Sequence, residues 1–219
     1  MIGRRPEPDR ANFVTYAVGM VFSPFKSMKR LLGETHPIRL AAGAVVFVGV
    51  LYVLTSAVMA LVGAIPLASV LILIPPENYY FWQMVLVLPC VLLAWILVSG
   101  LIQILGRHAR GRPAFEKTAA ASGIALAASL FVAWFPAAFV AFFLALGMSQ
   151  QELVDLLSQP GVWQSFYVAL YVLAAAAAVV LLTLAAWQGR AKKTGRFRVV
   201  VAGGLAAAVA VGLFVLFVR

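Results

Sequence analysis

Apolar positions along this chain come in blocks rather than stripes. Five runs, about residues 40–63, 81–105, 118–146, 166–187 and 197–218, stay apolar through every helical turn they would make. A helix that is hydrophobic all round sits in a large core or in lipid. At a rise of about 1.5 Å per residue, each run can cross about 30 Å of hydrocarbon. A transmembrane barrel would need alternating strands of about ten residues, and "VLAAAAAVVLLTLAAW" does not alternate. Helices satisfy their own backbone groups in lipid. The pattern predicts an all-α fold: a polytopic transmembrane helical bundle with five spans and short interfacial helices.

Shorter patterns flank the blocks. In "FSPFKSMKRLLGETHP", Ser23 and Pro24 read as N-cap and first helical residue. Phe22, Phe25, Met28, Leu31 and Leu32 recur at helical spacing, with Lys26, Lys29 and Arg30 on other faces. This is an amphipathic helix, either lying on the inner membrane surface or packed beneath the bundle. In "GMSQQELVDLLSQPG", Ser149 and Glu152 match a capping box, and Pro160 with Gly161 ends the helix. The first block runs on through "LVGAIPLASVLILIPPE". Pro66 is expected to kink or end that helix, with 67–74 interfacial and a re-entrant element as the alternative. Pro89 and Pro136 should kink the second and third spans.

Composition sharpens this picture. The chain of 219 residues is 64% hydrophobic and only 11% charged, with a mean hydropathy of +1.01. Soluble domains carry about a quarter charged residues, so too little polar surface exists here for a water-soluble fold. The net charge of +10 raises the idea of nucleic acid. The cations, however, lie in the connections between apolar blocks, and no specific nucleic-acid partner is expected. Of 17 Lys and Arg residues, all but Arg219 fall on one side of the five-span arrangement. They include Lys26, Lys29 and Arg30 before the first span, and Arg107, Arg110, Arg112 and Lys117 before the third. Arg190, Lys192, Lys193, Arg196 and Arg198 come before and into the fifth. The positive-inside rule then places the N-terminus in the cytoplasm and the C-terminus outside. Residues 1–12 read as a cytoplasmic tail without a signal peptide, and 13–218 as one membrane domain. Tyr79, Tyr80, Phe81 and Trp82, then Trp163, Phe166 and Tyr167, sit where an outer aromatic belt belongs. Trp187 marks an inner exit. A ligand-binding aromatic box is the alternative to anchoring.

Candidate chemistry is sparse. Ionisable groups inside spans are the usual functional flags in membrane proteins, and mid-span positions lack them. His36 and His108 flank spans without partner ligands, so no metal is expected. No catalytic residue, cofactor site or phosphate loop is expected either. Cys90 reads as a small hydrophobe. Glu116 suits the start of the third span, complementing the helix dipole. Ser56, Ser99, Gln103, Ser122, Ser129 and Thr183 could bond across helices or line a transport route. Ala119, Gly123 and Ala127, and likewise Gly204, Ala208 and Gly212, repeat every four residues. Such faces serve helix packing, within the bundle or in a homodimer.

Four blocks together resemble the Yip domain family, small integral membrane proteins first named for interacting with Ypt/Rab GTPases. They are "FSPFKSMKRLL", "GRPAFEKTAAASGIALAASLFVAWFP", "LAAWQGRAKKTGRFRVVVAGG" and the five-span order itself, covering about 13–218. Ser23, Pro24 and Phe25 match the family's proline motif before an aromatic amphipathic segment. Gly111, Phe115 and Glu116 match the approach to the third span, and Pro136 its later proline. Trp187, Gly189, Lys193, Gly195 and Arg196 match the basic turn after the fourth. The acidic and glycine-proline signatures of eukaryotic trafficking members are missing, and the short loops resemble a prokaryotic branch. The resemblance implies a multi-pass protein of a prokaryotic inner or plasma membrane, and it does not carry GTPase binding with it.

The expected function is non-enzymatic: membrane organisation or scaffolding through contacts with lipids, above all anionic head groups on the cytoplasmic side, or with a protein partner. The expected contact residues are Lys26, Lys29, Arg30, Arg107, Arg110, Arg112, Arg190, Lys192, Lys193 and Arg196. The alternative is a small-solute transporter or channel subunit, which would need a polar cavity reaching Ser99, Gln103, Ser129 or Thr183.

Overall fold

The structure, a computed structural model, describes residues 13–66, 74–105, 115–188 and 196–217. Every regular element among them is helical. α1 (Phe13–Phe22) and α2 (Pro24–Leu31) precede α3 (Pro37–Leu61). A short 3-10 turn, Pro76–Asn78, leads into α4 (Tyr79–Leu105). Then come α5 (Phe115–Ala145), the short α6 (Gln150–Ser158), α7 (Val162–Gln188) and α8 (Arg196–Phe217). Helices α3, α4, α5 and α7 are long and apolar enough to cross a membrane. α8 carries a shorter apolar stretch, Val200–Leu213. The chain is thus an all-α, multi-span membrane protein, with four candidate spans among the described residues.

Cross-helix contacts fix the directions. Trp95 Nε1 donates to the Ala119 carbonyl at 2.8 Å, and Gly123 sits between Trp95 and Ala41. Nearer the other end, Ser56 Oγ donates to Gln83 Oε1 at 2.9 Å and Trp134 Nε1 to Thr55 Oγ1 at 2.8 Å. So α3 and α5 run parallel, and α4 runs against both. α7 runs against α5, and Gly203 of α8 lies on Thr183 of α7. One end of the bundle therefore holds α1 and α2; the opposite end holds α6.

α5 is the hub. From Thr118 to Leu130 every residue is buried, on all faces. Ala, Gly and Ser dominate this stretch. In lipid, helix association depends on close van der Waals approach and interhelical hydrogen bonds, and small side chains permit both. The polar residues are spent the same way. Ser99 and Ser122 hydroxyls lie 2.7 Å apart, and Thr118 donates to Gln103 Oε1 at 2.8 Å. Tyr52 donates to the Leu130 carbonyl at 3.1 Å. A second, smaller core at the α6 end joins Met59, Val140, Leu144 and Leu153.

Several sequence expectations need correction. α1 was not anticipated: Tyr16 and Met20 are buried in the main core, so ordered structure begins before the amphipathic segment. α3 ends at Leu61, ahead of Pro66. Gly63 takes φ +67°, and the amides of Gly63 and Ala64 bond back to Ala60 and Met59 carbonyls. That left-handed C-cap ends a helix without any proline. α5 ends identically at Gly147, φ +91°. Ser23 occupies the N-cap of α2 with Pro24 next, but its side chain makes no capping bond. Span limits shift by a few residues, α3 starting at Pro37 and α7 at Val162. Pro89 and Pro136 lie inside helices. Residues 67–73, the main part of the interfacial-or-re-entrant segment, fall outside the described residues.

Candidate membrane-surface site

At the α2 end, α1 and α2 fold into an antiparallel pair. Gly19 allows the close approach, since a Cβ there would lie 2.4 Å from Ser27 Oγ. Tyr16, Met20, Met28 and Leu31 point inward, each at most 2% exposed. Burying side chains of this size is worth about 1.5–3 kcal/mol each, which holds the pair against the bundle. The Tyr16 hydroxyl donates to Glu34 Oε1, and the Arg30 guanidinium carbon lies 6.0 Å from the Tyr16 ring centroid. Burial, reinforced by the Glu34 hydrogen bond and charge and partly offset by Arg30, pushes the Tyr16 pKa up to about 12.

The outward face of the same pair combines two chemistries. Phe22 is 80% and Phe25 69% exposed. Lys26, Lys29 and Arg30 are exposed beside them. α2 is therefore packed against the bundle on one face and exposed on the other. Greasy rings next to cations on a docked helix suit the boundary between head groups and acyl chains. Arg196 begins α8. Arg107, Arg110, Arg112, Arg190, Lys192 and Lys193 lie outside the described residues. His36 occupies the N-cap position of α3 without a side-chain capping bond. Glu116 is exposed in the first turn of α5. Among the described residues no cluster of metal-ligating side chains exists.

The two small-residue stripes have different fates. Ala119, Gly123 and Ala127 are buried inside the bundle. A Cβ on Gly123 would meet Trp95 Nε1 at 2.6 Å and Ala41 Cβ at 3.0 Å. Gly204 has nothing within 4 Å of its would-be Cβ, and Ala208 and Gly212 are exposed. The close α7 contact falls one residue earlier, on Gly203.

At the α6 end lies a cavity of about 470 Å³ that sequence reasoning did not assemble. Tyr52 and Ser56 of α3, Tyr79, Tyr80 and Gln83 of α4, and Tyr167 and Tyr171 of α7 line it. Val154, Leu157 and Ser158 of α6 form one wall. The aromatic belt thus divides. Phe81, Trp82, Trp163 and Phe166 are 44–57% exposed, as anchors should be, while the tyrosines turn inward. One signal was available in the chain: Tyr167 and Tyr171, and likewise Tyr79 and Gln83, stand four apart on shared helix faces. Ser99, Gln103, Ser129 and Thr183 do not line this cavity.

Fold and surface together define a polytopic α-helical membrane protein whose α2 end carries a cationic, aromatic interface. No protein-family model, curated protein or solved structure matches the chain.

Proposed function

We propose that this chain is a non-enzymatic, five-span protein of a prokaryotic inner or plasma membrane that organises the cytoplasmic leaflet by binding anionic head groups. α8, at 22 residues, would extend about 33 Å, enough for the fifth crossing. The cation distribution supports a cytoplasmic N-terminus and an external C-terminus. The observation that carries the reading is the exposed Phe22 and Phe25 beside exposed Lys26 and Lys29, on the α1–α2 pair pinned by buried Met28 and Leu31. In the sequence, the basic segments around Arg107 to Arg112 and Arg190 to Lys193 fall in connections that the positive-inside rule assigns to the same side. The resemblance to the Yip domain family agrees with the multi-pass class; its GTPase partners are not carried over. Transport through the mid-span polar groups is the weaker alternative. Ser99 and Gln103 are held in helix–helix hydrogen bonds, and Ser129 bonds its own helix at Ala125.

The test is lipid selectivity in nanodiscs of mixed phosphatidylcholine and phosphatidylglycerol. The wild-type chain should enrich the anionic lipid, and Lys26→Gln with Lys29→Gln should lose much of that enrichment. Equal enrichment by a folded variant refutes a lipid role for α2.

A further inference from the structure

The tyrosine-lined cavity at the α6 end is unrelated to the charged surface at the other end, and its chemistry is specific. Five of the chain's six tyrosines line it, and none of its five tryptophans does. The lining also contains Ser56, Thr55, Gln83 and Ser158, with an apolar remainder. Among the described residues its lining contains no Asp, Glu, Lys, Arg or His. Most of its polar groups are already engaged. Ser56 bonds Gln83, Trp134 donates to Thr55, and the Tyr167 and Tyr171 hydroxyls lie 3.2 Å apart.

One is not. Tyr79 is only 5% exposed, and among the described residues its hydroxyl is the one buried side-chain polar atom without a hydrogen-bond partner. A buried hydroxyl left unpaired is destabilising, so the site holds a donor in want of an acceptor. A volume of about 470 Å³ lies in the usual range for small-molecule sites, about 300–1,000 Å³. A bare charge moved into such a site would find no counter-charge, which is strongly unfavourable.

We propose that this cavity binds an uncharged amphiphilic molecule, its apolar body against the α6 and α5 wall and an acceptor oxygen on the Tyr79 hydroxyl. A carbonyl, ether or alcohol oxygen meets the requirement. Val140, Leu157 and Met59 supply apolar wall, and the tyrosine rings supply faces that pack against a hydrocarbon or ring.

The experiment uses the full chain in nanodiscs and three probes of equal tail length: 1-monooctanoylglycerol, octanoate and octylamine. Saturable thermal stabilisation and native mass spectrometry report binding. The neutral ester should bind, and the two ions should bind far more weakly. Tyr79→Phe should leave the ligand-free melting temperature unchanged or raised, because the lost hydroxyl had no partner, yet weaken the neutral probe by about three- to tenfold. Ala137→Phe, which fills the cavity, should abolish binding. The proposal is overturned if the ions bind as well as the ester, if no probe binds, or if Tyr79→Phe leaves the neutral probe's affinity unchanged.

Discussion

Replacing Gly203 by Ala and, separately, Gly204 by Ala should move stability in opposite directions. The two residues are neighbours on α8, chemically identical and equally favourable in composition. At Gly203 a Cβ would lie 2.4 Å from Thr183 Cα and 2.8 Å from Thr183 Cβ. Carbon atoms normally meet at about 3.5–4.0 Å, and the obstacle is backbone, which cannot rotate away. α8 must therefore back off α7 by about an ångström. Overpacking of this kind costs about 1–3 kcal/mol, offset by the roughly 1 kcal/mol that Ala gains over Gly within a helix. Since backbone is the obstacle, the upper end of the cost applies, leaving Gly203→Ala about 2 kcal/mol less stable. At Gly204 no atom lies within 4 Å, so only the helix gain remains, up to about 1 kcal/mol. The pair should differ by about 2–3 kcal/mol. Reversible unfolding in mixed micelles, titrated with SDS and followed by tryptophan fluorescence, measures it. Equal effects would refute the reasoning. A destabilised Gly204→Ala whose penalty grows with protein concentration would show instead that the Gly204, Ala208 and Gly212 face packs against a second copy.

Four further outcomes follow from the geometry. Trp95→Phe removes the bond to the Ala119 carbonyl and should cost about 1 kcal/mol in the same titration. Ser149→Ala removes the cap of α6, where Ser149 Oγ accepts from the Glu152 amide at 3.2 Å, and should cost α6 about 1 kcal/mol, read as faster amide exchange in that helix. The same helix should loosen in acid. The Ser149 backbone and side-chain hydrogen bonds lower the Glu152 pKa below its usual 4.5, so the carboxylate's contribution is present above that value and is lost as pH falls from it through the lower folded value. Tyr16→Phe should be less stable than wild type at neutral pH. The gap should narrow between pH 10 and about 12, because a raised phenol pKa stabilises the fold below 10 and is lost as pH rises towards the folded value.

What the sequence disclosed and what it withheld have physical causes. Apolar blocks announce spans, because lipid demands about twenty apolar residues whatever the neighbours. The Ser149 and Glu152 box was legible because capping is local chemistry, and the structure shows both of its reciprocal bonds. The first apolar run reads as ending near Gly63, but the stop is credited to Pro66 because proline is conspicuous, while Gly63, which ends the helix through its φ of +67°, is not. α1 was missed because Tyr16 and Met20 are held by contacts with residues far along the chain. The facing of α8 could not be read at all. A helix apolar all round offers no periodicity, and choosing Gly204 over Gly203 rotates the contact face by about 100°. Likewise, tyrosines at a span boundary look the same whether they face lipid or a cavity. Only the convergence of α3, α4 and α7 separates the two.

That convergence follows from the way α5 is written. Its first half, Thr118 to Leu130, is mostly Ala, Ser and Gly, and neighbours close on it from every side. Its second half brings Phe131, Trp134, Phe135, Phe139, Phe142 and Phe143. These rings pack on one another and on Trp163 and Phe166 of α7, with centroids 4.7–6.3 Å apart. Bulky rings on some faces of α5 hold the surrounding helices apart, and its small Ala137 and Val140 border the space between them. The α6 wall is fixed as well. Gln150 of α6 grips Ile65 through both its amide groups, accepting from the backbone N–H at 2.9 Å and donating to the carbonyl at 2.7 Å. Leu153 is fully buried beneath. A helix capped, gripped and anchored in this way is a standing wall rather than a flap. The cavity is therefore a property of the folded bundle itself: tight where α5 is small, open where α5 is aromatic, and walled on one side by α6.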